Sequence, residues 1–86
     1  MGYVTKKVTI AEIGWTLVTS KVAMIQFNDT MYMAVTSGSM PDTGIRGFKM
    51  AADEKYINGS DNVFVFAKRI AGGTRIESVT VLENDE

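Results

Sequence analysis

Asp53, Glu54 and Asp61 are the carboxylates that stand nearest one another in the central third of the chain. Two carboxyl groups held at a fixed separation in a cleft are the chemistry of glycoside hydrolysis. A β domain of this size rarely offers such a cleft, so these three residues read as solvated surface. Asn58-Gly59-Ser60-Asp61-Asn62 supplies oxygen ligands around a glycine. It lacks the alternating ligand series and closing glutamate of a calcium loop and reads as a turn. Gly72-Gly73-Thr74 has the glycines of a phosphate cradle without the Lys-Ser/Thr ending or the following helix of a P-loop, and reads as a hairpin turn. No spacing pairs Lys21 with a serine for nucleophilic chemistry. The chain contains no histidine and no cysteine. That removes the commonest general base and metal ligand, thiolate sites and disulfides. The expectation is a protein without catalytic residues, cofactor or metal.

The elements that would position any site are strands. Thr and Val recur together, and both suit a pleated surface. Tyr3 to Ile10 reads as a first strand, Trp15 to Val18 as a second and Lys21 to Phe27 as a third. Asn28-Asp29-Thr30 reads as a turn, with 31–36 pairing back on the third strand as a hairpin. Residues 37–44 form a loop by composition, holding the single proline. A strand over 45–50 follows, with Gly47 as a candidate bulge. Residues 51–56 read as one helical turn or an extended edge. Residues 62–68 form a central strand, 71–73 a hairpin turn, and 74–82 the last strand, whose apolar phase shifts between Ile76 and Val79 as at a bulge. Six to seven short strands with turns every 8–12 residues predict an all-β fold, a small antiparallel β-sandwich or partly open barrel.

With 86 residues there is room for one domain spanning 1–86, with an N-terminal strand or arm over 1–14 and an acidic tail over 83–86. The net charge is −1, from nine basic and ten acidic residues, which disfavours nucleic acid as a partner. No apolar run approaches the ~20 residues of a membrane helix, and no secretory leader precedes the first strand, so no membrane contact is expected. The absence of cysteine agrees with synthesis in a cytoplasm.

Val63-Phe64-Val65-Phe66-Ala67 is apolar at five consecutive positions. Alternate side chains of a strand point to opposite faces, so Val63, Val65 and Ala67 face one way and Phe64 and Phe66 the other. Met31 and Met33 similarly share one face, with Tyr32 and Ala34 on the other. One face fills the sandwich. The other must be covered by another chain or by a loop of this one. A chain this small, with no disulfide, gains burial most readily by association. Phe64, Phe66, Met31, Met33 and Tyr32 are therefore the candidate subunit-contact residues. Trp15, the single tryptophan, is expected to plug the core. Tyr32 and Tyr56 are the better aromatics for an exposed ligand surface.

The order of features carries a resemblance. Trp15-Thr16-Leu17-Val18 precedes a polar–apolar hairpin over 25–35. Then follow Pro41-x-x-Gly44, a strand, Gly59-Ser60-x-Asn62-Val63-Phe64-Val65-x-Ala67, and Gly72-Gly73-Thr74 before the final strand. Over residues 15–82 the chain resembles the small β-sandwich virion proteins of tailed bacteriophages, which decorate or cement the capsid or occupy tail and fibre positions. The resemblance implies a non-enzymatic capsid decoration or cement protein. It implies a homo-oligomer, with a trimer favoured, that contacts the major capsid protein or other virion proteins. Its place would be the virion, after synthesis in the host bacterial cytoplasm. The alternative it implies is a tail- or fibre-associated carbohydrate- or receptor-binding module, presenting Trp15, Tyr32 and Tyr56.

Overall fold

Alternating Val and Thr positions become two stacked sheets with one apolar interior between them. The computed structural model describes residues 2–42, 44–70 and 75–84. Its strands are β1 (Tyr3–Thr9), β2 (Thr16–Thr19), β3 (Ala23–Phe27), β4 (Met31–Thr36), β5 (Phe48–Met50), β6 (Lys55–Asn58), β7 (Phe64–Arg69) and β8 (Ser78–Asn84). The fold is all-β, and the described residues contain no helix. The strands form two four-stranded antiparallel sheets, ordered β1-β8-β3-β6 (sheet A) and β2-β7-β4-β5 (sheet B). Eight strands are present where six to seven were expected. The addition is β6, which overlaps the end of the 51–56 segment read as a helical turn or an extended edge and takes in Asn58, read as the start of a turn.

The order has a simple origin. The pairs β1–β8, β2–β7, β3–β6 and β4–β5 are those of one long hairpin whose tip lies at 37–47. That ribbon is rolled up so that β3 also meets β8 and β4 also meets β7. This is the strand order of an eight-stranded jelly roll. Six of the seven connections therefore cross between sheets, and only β4–β5 joins neighbours in one sheet.

Two expected hairpins are overturned by this arrangement. β3 and β4 lie in different sheets. Phe27 and Met31, on either side of the turn, are both fully buried between the sheets, so the turn is an arch over the sandwich edge. It is held by β8 and the segment before it: Asn28 Nδ2 donates to Ser78 Oγ and Thr80 Oγ1, each at 3.1 Å, and Asp29 pairs with Arg75. β7 and β8 also lie in different sheets; the glycine turn read at 71–73 and the phosphate-like Gly72-Gly73-Thr74 lie outside the described residues. β8 begins only at Ser78, so Ile76, 71% exposed, precedes the strand and its phase shift is no bulge. The register irregularity lies instead in β2, between Leu17 and Thr19.

The core between the sheets joins Ile25, Phe27, Val79 and Val81 of sheet A to Val18, Met31, Met33, Val65 and Ala67 of sheet B, with Ile10 beside them. A second, smaller cluster lies outside sheet B: Trp15, Ala34 and Phe66, with Tyr32 and Phe64 against them. Asp42 and Ile45, from the connection between β4 and β5, reach over it. Trp15 Nε1 donates to Asp42 O at 3.4 Å, and Lys68 Nζ donates to Ile45 O at 3.1 Å. Gly47 is no bulge; it precedes β5 at a φ of 80°. A Cβ there would meet Met33 O at 2.7 Å and Trp15 Cη2 at 2.8 Å, so only glycine lets the segment pass.

Two expectations follow. Ile25→Ala should cost about 2–5 kcal/mol of unfolding free energy and Ile76→Ala less than about 0.5, measured by urea denaturation; similar losses at both sites would be incompatible with the core described. Gly47→Ala should destabilise by more than about 1 kcal/mol and shift Trp15 fluorescence to the red as the cover lifts. An unchanged spectrum and midpoint would contradict the packing at Gly47.

Candidate functional site

The residues that could do chemistry are kept apart. Asp53 and Glu54 sit in the turn before β6 and Asp61 in the turn after it. Two of these carboxylates are bound to backbone amides: Glu54 Oε1 accepts locally from Ala51 N at 2.6 Å, and Asp61 Oδ1 from the sequence-distant Val22 N at 3.1 Å. Among the described residues, no three acidic side chains gather as a metal site would require.

The candidate contact and ligand residues are also separated. Met31 and Met33 fill the interior, and Phe66 is 3% exposed beneath the Trp15 cluster, so these three are covered by their own chain rather than by a partner. The reason is the 37–47 segment, which supplies the loop cover that two-faced strands require. Phe64 and Tyr32 remain half-buried on the outside of sheet B. Trp15 is buried there, and Tyr56 packs against the main core from sheet A, so the three aromatics form no row. Tyr32 is instead attended by cations. The Arg46 guanidinium lies 5.6 Å from its ring centre and Lys68 Nζ 6.0 Å, while Lys68 Nζ also stands 4.7 Å from the Trp15 ring.

The exposed feature that sequence reading missed is the outer face of sheet A. Register places Thr5 opposite Leu82, Leu82 opposite Met24, and Met24 opposite Ile57, one row across all four strands. With Tyr3, Val22 and Ala23, the three apolar members of that row line a groove of about 190 Å³. Tyr3 is 70% exposed and Ile57 67%. The next row, Lys7–Thr80–Gln26–Lys55, is polar and ends in a lysine on each side. Such a surface can desolvate against another apolar surface. Its residues come from four strands far apart in sequence, so only the register brings them together.

The chain matches no family model, no curated protein and no solved structure in the three comparisons made.

Glu83, read as the start of an acidic tail, is the buried carboxylate among the described residues. It lies in β8, 5% exposed, ion-paired with Lys6 of β1 and accepting from Thr19 Oγ1 of β2 at 3.1 Å. Burial pushes its carboxyl up. The hydrogen bonds from Lys6 and Thr19 and the charges of Lys6 and Lys21 outweigh that and hold it below the ordinary value. Glu83 thus adds stability above about pH 4.3, the ordinary glutamate value, and the contribution is lost as pH falls through its lowered value. The Glu83→Gln variant should be less stable at pH 7 and should lose less stability than the parent between roughly pH 5 and pH 3. Parallel acid profiles in urea titrations would show that Glu83 contributes no such linkage.

Proposed function

We propose that this chain is a non-enzymatic structural protein of a tailed-bacteriophage virion, a capsid decoration or cement protein present in many copies. The observation that carries the assembly role is the apolar row of sheet A, Leu82–Met24–Ile57 with Tyr3 beside it, four exposed apolar side chains that register gathers on one sheet face. The phage setting rests on the resemblance in the order of features over 15–82. Jelly rolls recur in viral shells and in lectins, which agrees with both halves of the proposal as an analogy of fold. The major capsid protein or another virion protein would be the partner of the shell-facing surface.

The alternative, a tail- or fibre-associated carbohydrate- or receptor-binding module, ranks second. Sugar stacking needs open ring faces, whereas Trp15 is buried and Tyr32 has Arg46 beside its ring. The test is direct. Particles purified on a density gradient from the source culture should contain the chain in many copies per particle, by quantitative mass spectrometry. Particles lacking it, with the chain free in the lysate, would end the virion reading.

A further inference from the structure

Sheet A has a free edge as well as a bare face, and the edge has a readable hydrogen-bond pattern. Ile10 N donates to Glu77 O at 2.9 Å, in register with the β1–β8 ladder. In an antiparallel ladder the bonded pairs alternate along the strand. Val4, Lys6 and Val8 therefore bond to β8, and Tyr3, Thr5, Lys7 and Thr9 turn their N–H and C=O groups outward. β1 is the longest edge strand, seven residues without a break in register. Of the other edges, β2 is interrupted between Leu17 and Thr19, β5 has three residues and β6 four. An inward-facing lysine commonly guards an edge against pairing. Here Lys6 is ion-paired to Glu83 in its own chain, which leaves the edge unguarded at its centre.

We propose that β1 is a self-association edge: two copies pair β1 against β1, antiparallel, about a twofold axis at Thr5. This rests on the assembly reading above and names the contact. Charge and overlap together select the register: a twofold at Val4 or Val8 pairs only three residues of the seven-residue strand, and the axes nearer its middle differ in charge. A twofold at Lys6 sets Lys6 against Lys6 of the second copy, and one at Lys7 sets Lys7 against Lys7. A twofold at Thr5 sets Lys7 opposite Tyr3 twice, Lys6 opposite Val4, and no cation opposite a cation. Those Tyr3–Lys7 pairs also suit a cation to an aromatic ring. Thr5 heads the row Thr5–Leu82–Met24–Ile57. The same axis therefore joins the two rows end to end across one eight-stranded sheet. The contact is isologous and makes pairs, unlike the trimer that the resemblance implies.

Edge pairing of this length buries less than the roughly 1,200 Å² of a stable complex, so association should be concentration-dependent. Sedimentation of the whole chain from roughly 1 µM to 1 mM, the span of weak specific contacts, should pass from monomer to dimer. Thr5→Pro removes an N–H that faces solvent in the monomer, as proline at an edge may, and should stay folded by circular dichroism while remaining monomeric throughout. The chain has no cysteine, so Thr5→Cys should cross-link to a covalent dimer on mild oxidation while Thr9→Cys should not. A parent that stays monomeric or forms trimers, a Thr5→Pro variant that still dimerises, or cross-linking at Thr9→Cys in preference to Thr5→Cys would each overturn the proposal. The cysteine pair decides it even where the proline variant fails to fold. Particles that contain the chain while the free chain stays monomeric would overturn the β1 contact and leave the virion reading standing. A dimer with these properties that is absent from particles would do the reverse.

Discussion

Two stacked four-stranded sheets have four faces, and 86 residues do not suffice to cover all of them. The inner faces cover each other through Ile25, Phe27, Val65, Val79 and Val81. The outside of sheet B is closed by Trp15 and the 37–47 segment, which passes over Gly47 because nothing larger fits. The outside of sheet A receives nothing from the described residues. Most other features of the molecule follow from that distribution. β7 is apolar on both sides because each of its sides is a covered face, and β3 and β8 expose Met24 and Leu82 because theirs is not.

Apolar packing is non-directional and does not fix how one sheet sits on the other. Polar groups at the margins of the core do. Glu83 of sheet A accepts from Thr19 of sheet B. Asn58 of sheet A donates through Nδ2 to Lys21 O and, ahead of β7, to Val63 O at 3.1 Å. Arg69 of sheet B donates to Ile10 O, beyond the end of β1, at 3.2 Å. Each is buried and each crosses between the layers. A lateral slip of one sheet would break directional bonds in a low-dielectric setting, where an unpaired polar group is costly.

Much of the strand content was legible in the sequence. Residues 31–36 and the loop after them fall where the alternation and the Pro–Gly composition put them, and the two-faced character of 62–68 correctly signalled two separate covers. Partnership was not legible. Alternation reports which face a side chain takes, and says nothing about which strand lies alongside. Asn28-Asp29-Thr30 has the composition of a hairpin turn, yet its side chains are used to bind β8 and Arg75 across the arch. Glu83 looked like tail because it is charged and near the C-terminal end; only the approach of Lys6 and Thr19 from strands distant in sequence makes its burial tolerable. The apolar row of sheet A was invisible for the same reason, being a product of register between distant segments.

The nesting of strand pairs also grades the lengths of chain that each pairing must close. β4 and β5 are joined by 37–47 and can meet first; β3–β6, β2–β7 and β1–β8 then close in turn around them. If each closure starts from ends already brought near by the one before, the large entropic cost of joining residue 3 to residue 84 is not met in one step. The row Thr5–Leu82–Met24–Ile57 draws on β1, β8, β3 and β6, and is complete only when the outermost pair has docked. A half-folded chain therefore does not carry it, and the apolar row arrives together with the finished fold.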